Sequence, residues 1–236
     1  MAAVLLASAP AVAMGADEPE NRLGSWIGAT STLKYSDTWG LFLQGEVRTW
    51  EVGSDLNELL FRVAGHYHFN PKTMGAIGYV RVDTWPYPGE PYGKFHENRF
   101  YQELLIKAKW GQGKVDNRFR LEQRWITTDE FGTELSIRVR YMLGYTLPLN
   151  NDSMEPGTNF FKVFNEIFID LDRFDYWFDR EERAWGLNQN RLYVGAGRQL
   201  TARSNIQFGI LWQHRPKSDF LRLLLSNSHN FDFRGQ

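Results

Sequence analysis

Charged side chains recur at every second position along much of this chain. The run Arg118-Phe-Arg-Leu-Glu-Gln-Arg124 sets Arg118, Arg120, Glu122 and Arg124 on one side of an extended backbone and Phe119 and Leu121 on the other. The same spacing opposes Arg138 and Arg140 to Ile137, Val139 and Tyr141, Glu46 and Arg48 to Val47, and Glu103 to Leu104. It also opposes Arg62 to Phe61 and Val63, Arg81 to Val80 and Val82, and Glu166 to Ile167. Guanidinium and carboxylate groups in such rows can pair across a narrow space and fill it, or line a watery path that selects ions by charge. Bases exceed acids on these faces, roughly fifteen to nine, so a path would lean toward anions.

Other reactive groups carry less. A hydrolase needs a nucleophilic Ser near a His, and Ser226, Ser228 and His229 lie close in sequence. Adjacent strand residues point to opposite sides, so Ser228 and His229 do not meet simply, and no lipase, deacylase or protease signature is present. No catalytic residue and no enzyme activity is therefore expected. His66 and His68 share a face and could hold a metal with a third ligand, but a satisfied polar wall explains them as well, and no metal or cofactor is assigned. The acidic, aromatic segment Asp170-Leu-Asp-Arg-Phe-Asp-Tyr-Trp-Phe-Asp179 could take a cation or a sugar, or pack as a surface loop. There is no phosphate-cradling glycine loop; Gly195 and Gly197 sit within a strand pattern, where they ease crowding or bending.

The elements that must position these groups are long strands. From Trp26 the chain alternates for about a dozen residues, turns, and alternates again. Trp39, Leu41, Leu43 and Val47 oppose Phe42, Gln44, Glu46 and Arg48; Met74, Ala76, Val80 and Val82 oppose Tyr79, Arg81 and Asp83. Tight turns are expected at 70–72, 111–113 and 201–203, and longer connections at 51–56, 85–95, 149–159 and 171–187. Ten strands are clear from Trp39 on, preceded by a weaker one, Trp26 to Tyr35. The expected architecture is all-β: a closed antiparallel transmembrane β-barrel of 10–12 strands in an up-and-down meander. Parity favours ten strands with a non-spanning N-terminal segment, or twelve, because an eleventh would place the two ends of the chain on opposite sides.

The chain has 236 residues, 42% apolar and 15% aromatic, with nine Trp, no Cys and a net charge of −1. That balance supplies no basic field for nucleic acid and no thiolate metal site. A soluble barrel would alternate too, with its oily face inward. Three features favour the membrane reading. Strands of about twelve residues are long enough to cross an apolar band of about 25 Å. Trp39, Phe69, Trp110, Trp125, Trp212 and Phe233 stand near strand ends like interfacial girdles. An apolar run over Ala2–Val12, followed by Ala11, Ala13 and Ala16, reads as an export signal, although no Lys or Arg follows Met1. Residues 1–16 are expected to be a signal peptide and 17–236 one outer-membrane barrel domain. Lys or Arg facing lipid at mid-membrane costs about 2–4 kcal/mol, so the charged faces must line the lumen.

Taken in order, Trp39-Gly-Leu-Phe-Leu-Gln-Gly-Glu-Val-Arg48, Arg118–Arg124, Arg138-Val-Arg-Tyr141, Asn165-Glu166 and Asn190-Arg-Leu-Tyr-Val-Gly-Ala-Gly197 resemble an uncharacterised, domain-of-unknown-function family of single-chain outer-membrane β-barrels of Gram-negative bacteria. The resemblance runs over nearly all of 17–236. It implies fold and an outer-membrane location, with outer-membrane lipid and the barrel-assembly machinery as partners and a monomer as the state; it implies no activity. Such barrels end on an aromatic that the assembly machinery reads, whereas here Phe233 is followed by Arg234, Gly235 and Gln236. A charge-lined, largely occluded lumen is the leading expectation. A small-solute, anion-leaning channel is the second and a lipid-modifying enzyme the third.

Overall fold

A computed structural model describes residues 23–89, 93–129, 132–171, 186–216 and 218–234. The expected signal peptide, and residues 172–179 of the acidic aromatic segment, lie outside the described residues.

Eleven strands follow one another: β1 (Leu23–Lys34), β2 (Trp39–Glu51), β3 (Ser54–Asn70), β4 (Thr73–Thr84), β5 (Phe95–Trp110), β6 (Gly113–Thr128), β7 (Gly132–Pro148), β8 (Asn159–Asp170), β9 (Gly186–Gln199), β10 (Ser204–Arg215) and β11 (Ser218–Asp232). Each pairs with its sequence neighbours, and β1 pairs with β11, so the sheet closes and leaves no edge. Carried around every seam, the register returns to β1 displaced by about 14 residues, which at the usual rise and spacing means a tilt of roughly 45° and a backbone radius of about 11 Å.

The weak N-terminal segment is thus a full strand, and the count, eleven, falls within the expected ten to twelve although parity favours the even numbers. Ten seams are antiparallel; the closing one is parallel, with Leu23 opposite Leu221 and Lys34 opposite Asp232. Parity reasoning assumed an antiparallel closure. A parallel pair satisfies the same backbone groups with slanted bonds, so an odd barrel can close. The ends of β2, β4, β6, β8 and β10 and the starts of the strands that follow them gather at one rim, the loop end, where β1 begins. The connections 35–38, 71–72, 111–112, 149–158 and 200–203 gather at the other, the turn end, where β11 finishes. There Phe233 stacks on Tyr35, Phe233 N–H donates to Lys34 O at 2.9 Å, and Arg234 pairs with Asp37 at 2.5 Å, so Arg234 buttresses the closing seam.

Polarity is sorted by strand face. Large apolar side chains point outward, such as Ile77 (69% exposed), Trp110 (64%) and Phe61, while Glu122 (0%), Glu166 and Arg140 are buried inside. At the turn end the outer face carries a belt of rings: Trp39 on Tyr67, Tyr67 on Phe69, and Trp110 on Tyr145. One strand corrects the expected phase. β4 places Phe61 opposite Arg81 and Tyr79 opposite Phe100, which turns Arg81 outward and Val80 and Val82 inward. The reason is local: between β3 and β5 the lumen wall is itself apolar, built of Leu60, Ala64, Val80, Val82 and Tyr101 with Phe42 against them. Oiliness therefore does not mark the outside there. Arg81 stands three residues from the end of β4, half-buried and held by Asp83 at 2.9 Å and by Asn98 at 3.1 Å.

Candidate functional site: the charged lumen

Alternation on β5 to β8 brings carboxylates and guanidiniums from four strands to one level of the lumen. Glu122 is the hub. Arg138 donates to its Oε2 through Nε and Nη2 at 2.9 and 2.6 Å, and Arg140 Nη1 donates to Oε1 at 2.6 Å. Arg120 Nη1 stands 3.5 Å from the same oxygen. Arg140 continues to Glu166 at 2.7 Å, Arg118 joins Glu166 at 2.6 Å, and Arg118 stands 3.7 Å from Glu103. Arg120 Nε donates to Glu103 at 2.7 Å. The path Glu122–Arg140–Glu166–Arg118–Glu103–Arg120 thus closes on itself, with Arg138 as a strut.

Two further groups extend this ring across the barrel. Glu97 accepts from Arg99 and Arg124, and Arg124 stands 3.8 Å from Asp170, which also accepts from Asn188. On the facing strands Arg48 bridges Glu46 and Glu58, each at 2.5 Å, with its guanidinium 3.9 Å over the Trp26 ring. The Phe168 ring takes Arg138, Arg140 and Arg191 at 5.1, 4.3 and 4.6 Å. Buried charge is costly unless each group is paired and hydrogen-bonded, and here multidentate bonds and ring faces supply that. The result is a cross-braced network of ion pairs inside the barrel.

Of the twelve lumen residues expected from sequence, Glu46, Arg48, Arg62, Glu103, Arg118, Arg120, Glu122, Arg124, Arg138, Arg140 and Glu166 lie on the inner face, and Arg81 does not. All but Arg62 of those inner residues belong to the ion-pair groups above. Alternation places Glu58 and Asp170 on charged faces without singling them out, and sequence reasoning leaves Glu97 and Trp26 out of the site altogether. For Glu97 the signal was present: it stands two residues before Arg99, on the same face of a strand that begins earlier than the apolar alternation suggests.

The weaker candidates separate. Ser228 faces inward and accepts from Thr30 at 2.8 Å, and Ser226 accepts from Gln207 at 2.7 Å. His229 faces outward against Phe231, with ring centroids 4.4 Å apart. His66 and His68 stand edge to face at 5.2 Å on the inner wall, and no group of three metal-ligating side chains occurs among the described residues. Gly195 and Gly197 are where neighbouring strands press: a Cβ there would lie 2.6 Å from the backbone oxygens of Phe208 and Ile206 respectively.

A family model described as a protein of unknown function (DUF2490) matches residues 23–222. No curated protein and no solved structure matches the chain.

Proposed function

We propose a reading from the chain's own geometry, because the chain belongs to a family of unknown function, DUF2490: it is an outer-membrane β-barrel whose lumen is closed by an ion-pair plug. The observation that carries this is the inversion of polarity, with rings and aliphatics on the outer wall and charges at the centre. In water such an outer wall would be an unusually large exposed apolar surface. In hydrocarbon it is the expected one, and closure leaves no unpaired edge. Strands of 12 to 17 residues at a tilt of roughly 45° span about 28–40 Å, enough for an apolar band of about 25 Å. The aromatic belt at the turn end suits an interface between membrane and water.

On this reading residues 1–16 direct export, the assembly machinery inserts the chain, and the mature protein stands as a monomer without catalytic activity. Two measurements test it. The native protein should fractionate with the outer membrane with its mass starting near Met14 or Asp17; a soluble protein retaining its N-terminus refutes the location. In planar bilayers the folded barrel should show no stable open state. A steady, anion-selective conductance would instead favour the channel reading, to which the excess of lumen arginine points.

A further inference from the structure

Among the described residues Arg62 and Arg191 face the lumen without an ion pair, but Arg191 lies over the Trp26 and Phe168 rings and beside Gln189. Arg62 projects from the middle of β3, and among the described residues no carboxylate lies within salt-bridge distance of it. Its Nε is buried without a hydrogen-bond partner, and the terminal nitrogens have no protein acceptor either, yet are not buried. Of the charged groups near it, Arg120 acts on it most strongly and is itself cationic, as are Arg140 and Arg118 beyond. Arg62 and Arg120 share the ring of Tyr101, with guanidinium carbons 5.6 and 4.4 Å from its centroid. Arg120 also carries a buried unpartnered donor, Nη1. Tyr101 is seated by Gly78, where a Cβ would fall 2.5 Å from the ring.

We propose that Arg62, backed by Arg120 and Arg118 around the Tyr101 ring, is a binding site for a small oxyanion, a phosphate or carboxylate, reached from the lumen. A guanidinium is a fork of donors matched to such groups, and stacking on a ring face fixes its plane. Arg120 and Arg118 are tied to Glu103 and Glu166, so Arg62 is the member of this group that no carboxylate meets directly, and an anion joining it would relieve the repulsion. Elsewhere in this lumen guanidiniums bridge carboxylates or, like Arg191, lie against Gln189 and ring faces, whereas at Arg62 an incoming anion displaces no hydrogen-bonding partner. Arg62 is only partly buried and its terminal nitrogens keep some contact with solvent, so the site is reached from the lumen. Because the site faces inward, bilayer headgroups do not reach it, and the anion must come from solution.

The inference uses the inner wall of the proposed barrel but not its conductance, so calorimetry and bilayer recording can fail independently. The test is titration of the full folded chain in detergent with inorganic phosphate and, separately, with acetate, at constant ionic strength held by chloride. Saturable binding of either ion is expected, and the preferred ion identifies the source as phosphate or carboxylate. Arg62→Gln should weaken binding by about tenfold or more, and Arg62→Lys by less, since a point charge replaces the fork. Heat-modifiable gel mobility shows that each variant has folded. If Arg62→Gln does not fold, the lysine variant decides, through reduced or unchanged affinity. No saturable binding of either ion, or unchanged affinity in the variants, overturns the site.

Discussion

The two halves of the lumen are built on different principles. Toward the loop end, the inner face carries Glu97, Glu122, Arg124, Arg138 and Asp170, which meet as ion pairs, and Arg191, which lies over the Phe168 and Trp26 rings. Toward the turn end, the wall from β9 through β11 to β1 carries Gly195, Gly197, Gln207, Ser226, Ser228 and Thr30, which reach only their neighbours. The outer wall makes no such distinction: it is apolar along both halves. The barrel wall is therefore set by its surroundings and the lumen by its own composition. One half gathers charge into ion pairs, and the other carries smaller polar side chains bonded to their neighbours, with Arg62 near the boundary between them.

The strongest test of this contrast removes the hub. Glu122 neutralises Arg138 and Arg140 by direct bonds and stands 3.5 Å from Arg120, wholly out of contact with solvent. Glu122→Ala strands Arg138 and leaves Arg140 and Arg120 with Glu166 and Glu103 alone, and breaking a buried pair in this way costs about 3–5 kcal/mol. The barrel should lose its heat-resistant gel mobility at a markedly lower temperature, and recordings in bilayers should gain open events. An unchanged transition would mean that the charges line a watery passage and do not brace it.

A smaller effect separates wall from lumen. Val139 faces outward in the middle of β7, between Leu121 and Ile169. Val139→Arg should cost about 2–4 kcal/mol against hydrocarbon and reduce the fraction of chain that assembles in vesicles. Gln207→Arg, inward in the turn-end half, should assemble nearly as well as the parent. Equal impairment by both would argue that the turn-end half is filled as tightly as the plug.

Much of this contrast is legible in the sequence, because period-two alternation of Arg and Glu with Val, Leu and Phe fixes strand faces wherever the lumen is polar. It fails where the lumen is apolar. On β4 the alternation of Val80, Arg81, Val82 and Asp83 is as regular as any, yet its phase is reversed, since Val80 and Val82 complete an inner cluster with Leu60 and Tyr101. Only the register against β3 and β5 decides that. The odd strand count is hidden for a similar reason: β1 reads Ile27-Gly-Ala-Thr-Ser-Thr, small and weakly polarised, and the partner that makes it a strand lies at the far end of the chain. Nor does alternation reveal which charges meet. The rows on β5 to β8 are visible, but the closed path through Glu122 depends on stagger, and the isolation of Arg62 depends on what surrounds it across the lumen.

The smallest expected effect lies on the parallel seam in the turn-end half. Thr30 Oγ1 donates to Ser228 Oγ at 2.8 Å, joining β1 to β11 above the plug. Ser228→Ala leaves one hydroxyl without its protein acceptor, but both residues are only partly buried, so water can take the serine's place. The net loss should then be that of an ordinary hydrogen bond, about 0.5–1.5 kcal/mol, well below that of Glu122→Ala. The backbone ladder from Leu23 to Lys34 keeps the seam closed without the side chain. The temperature at which heat-modifiable mobility is lost should fall only slightly, with no open events in bilayers. If Ser228→Ala lowered that temperature as far as Glu122→Ala does, closure would depend on the seam and not on the plug, and the division of the lumen into a braced half and a lightly bonded half would not describe how this barrel is held.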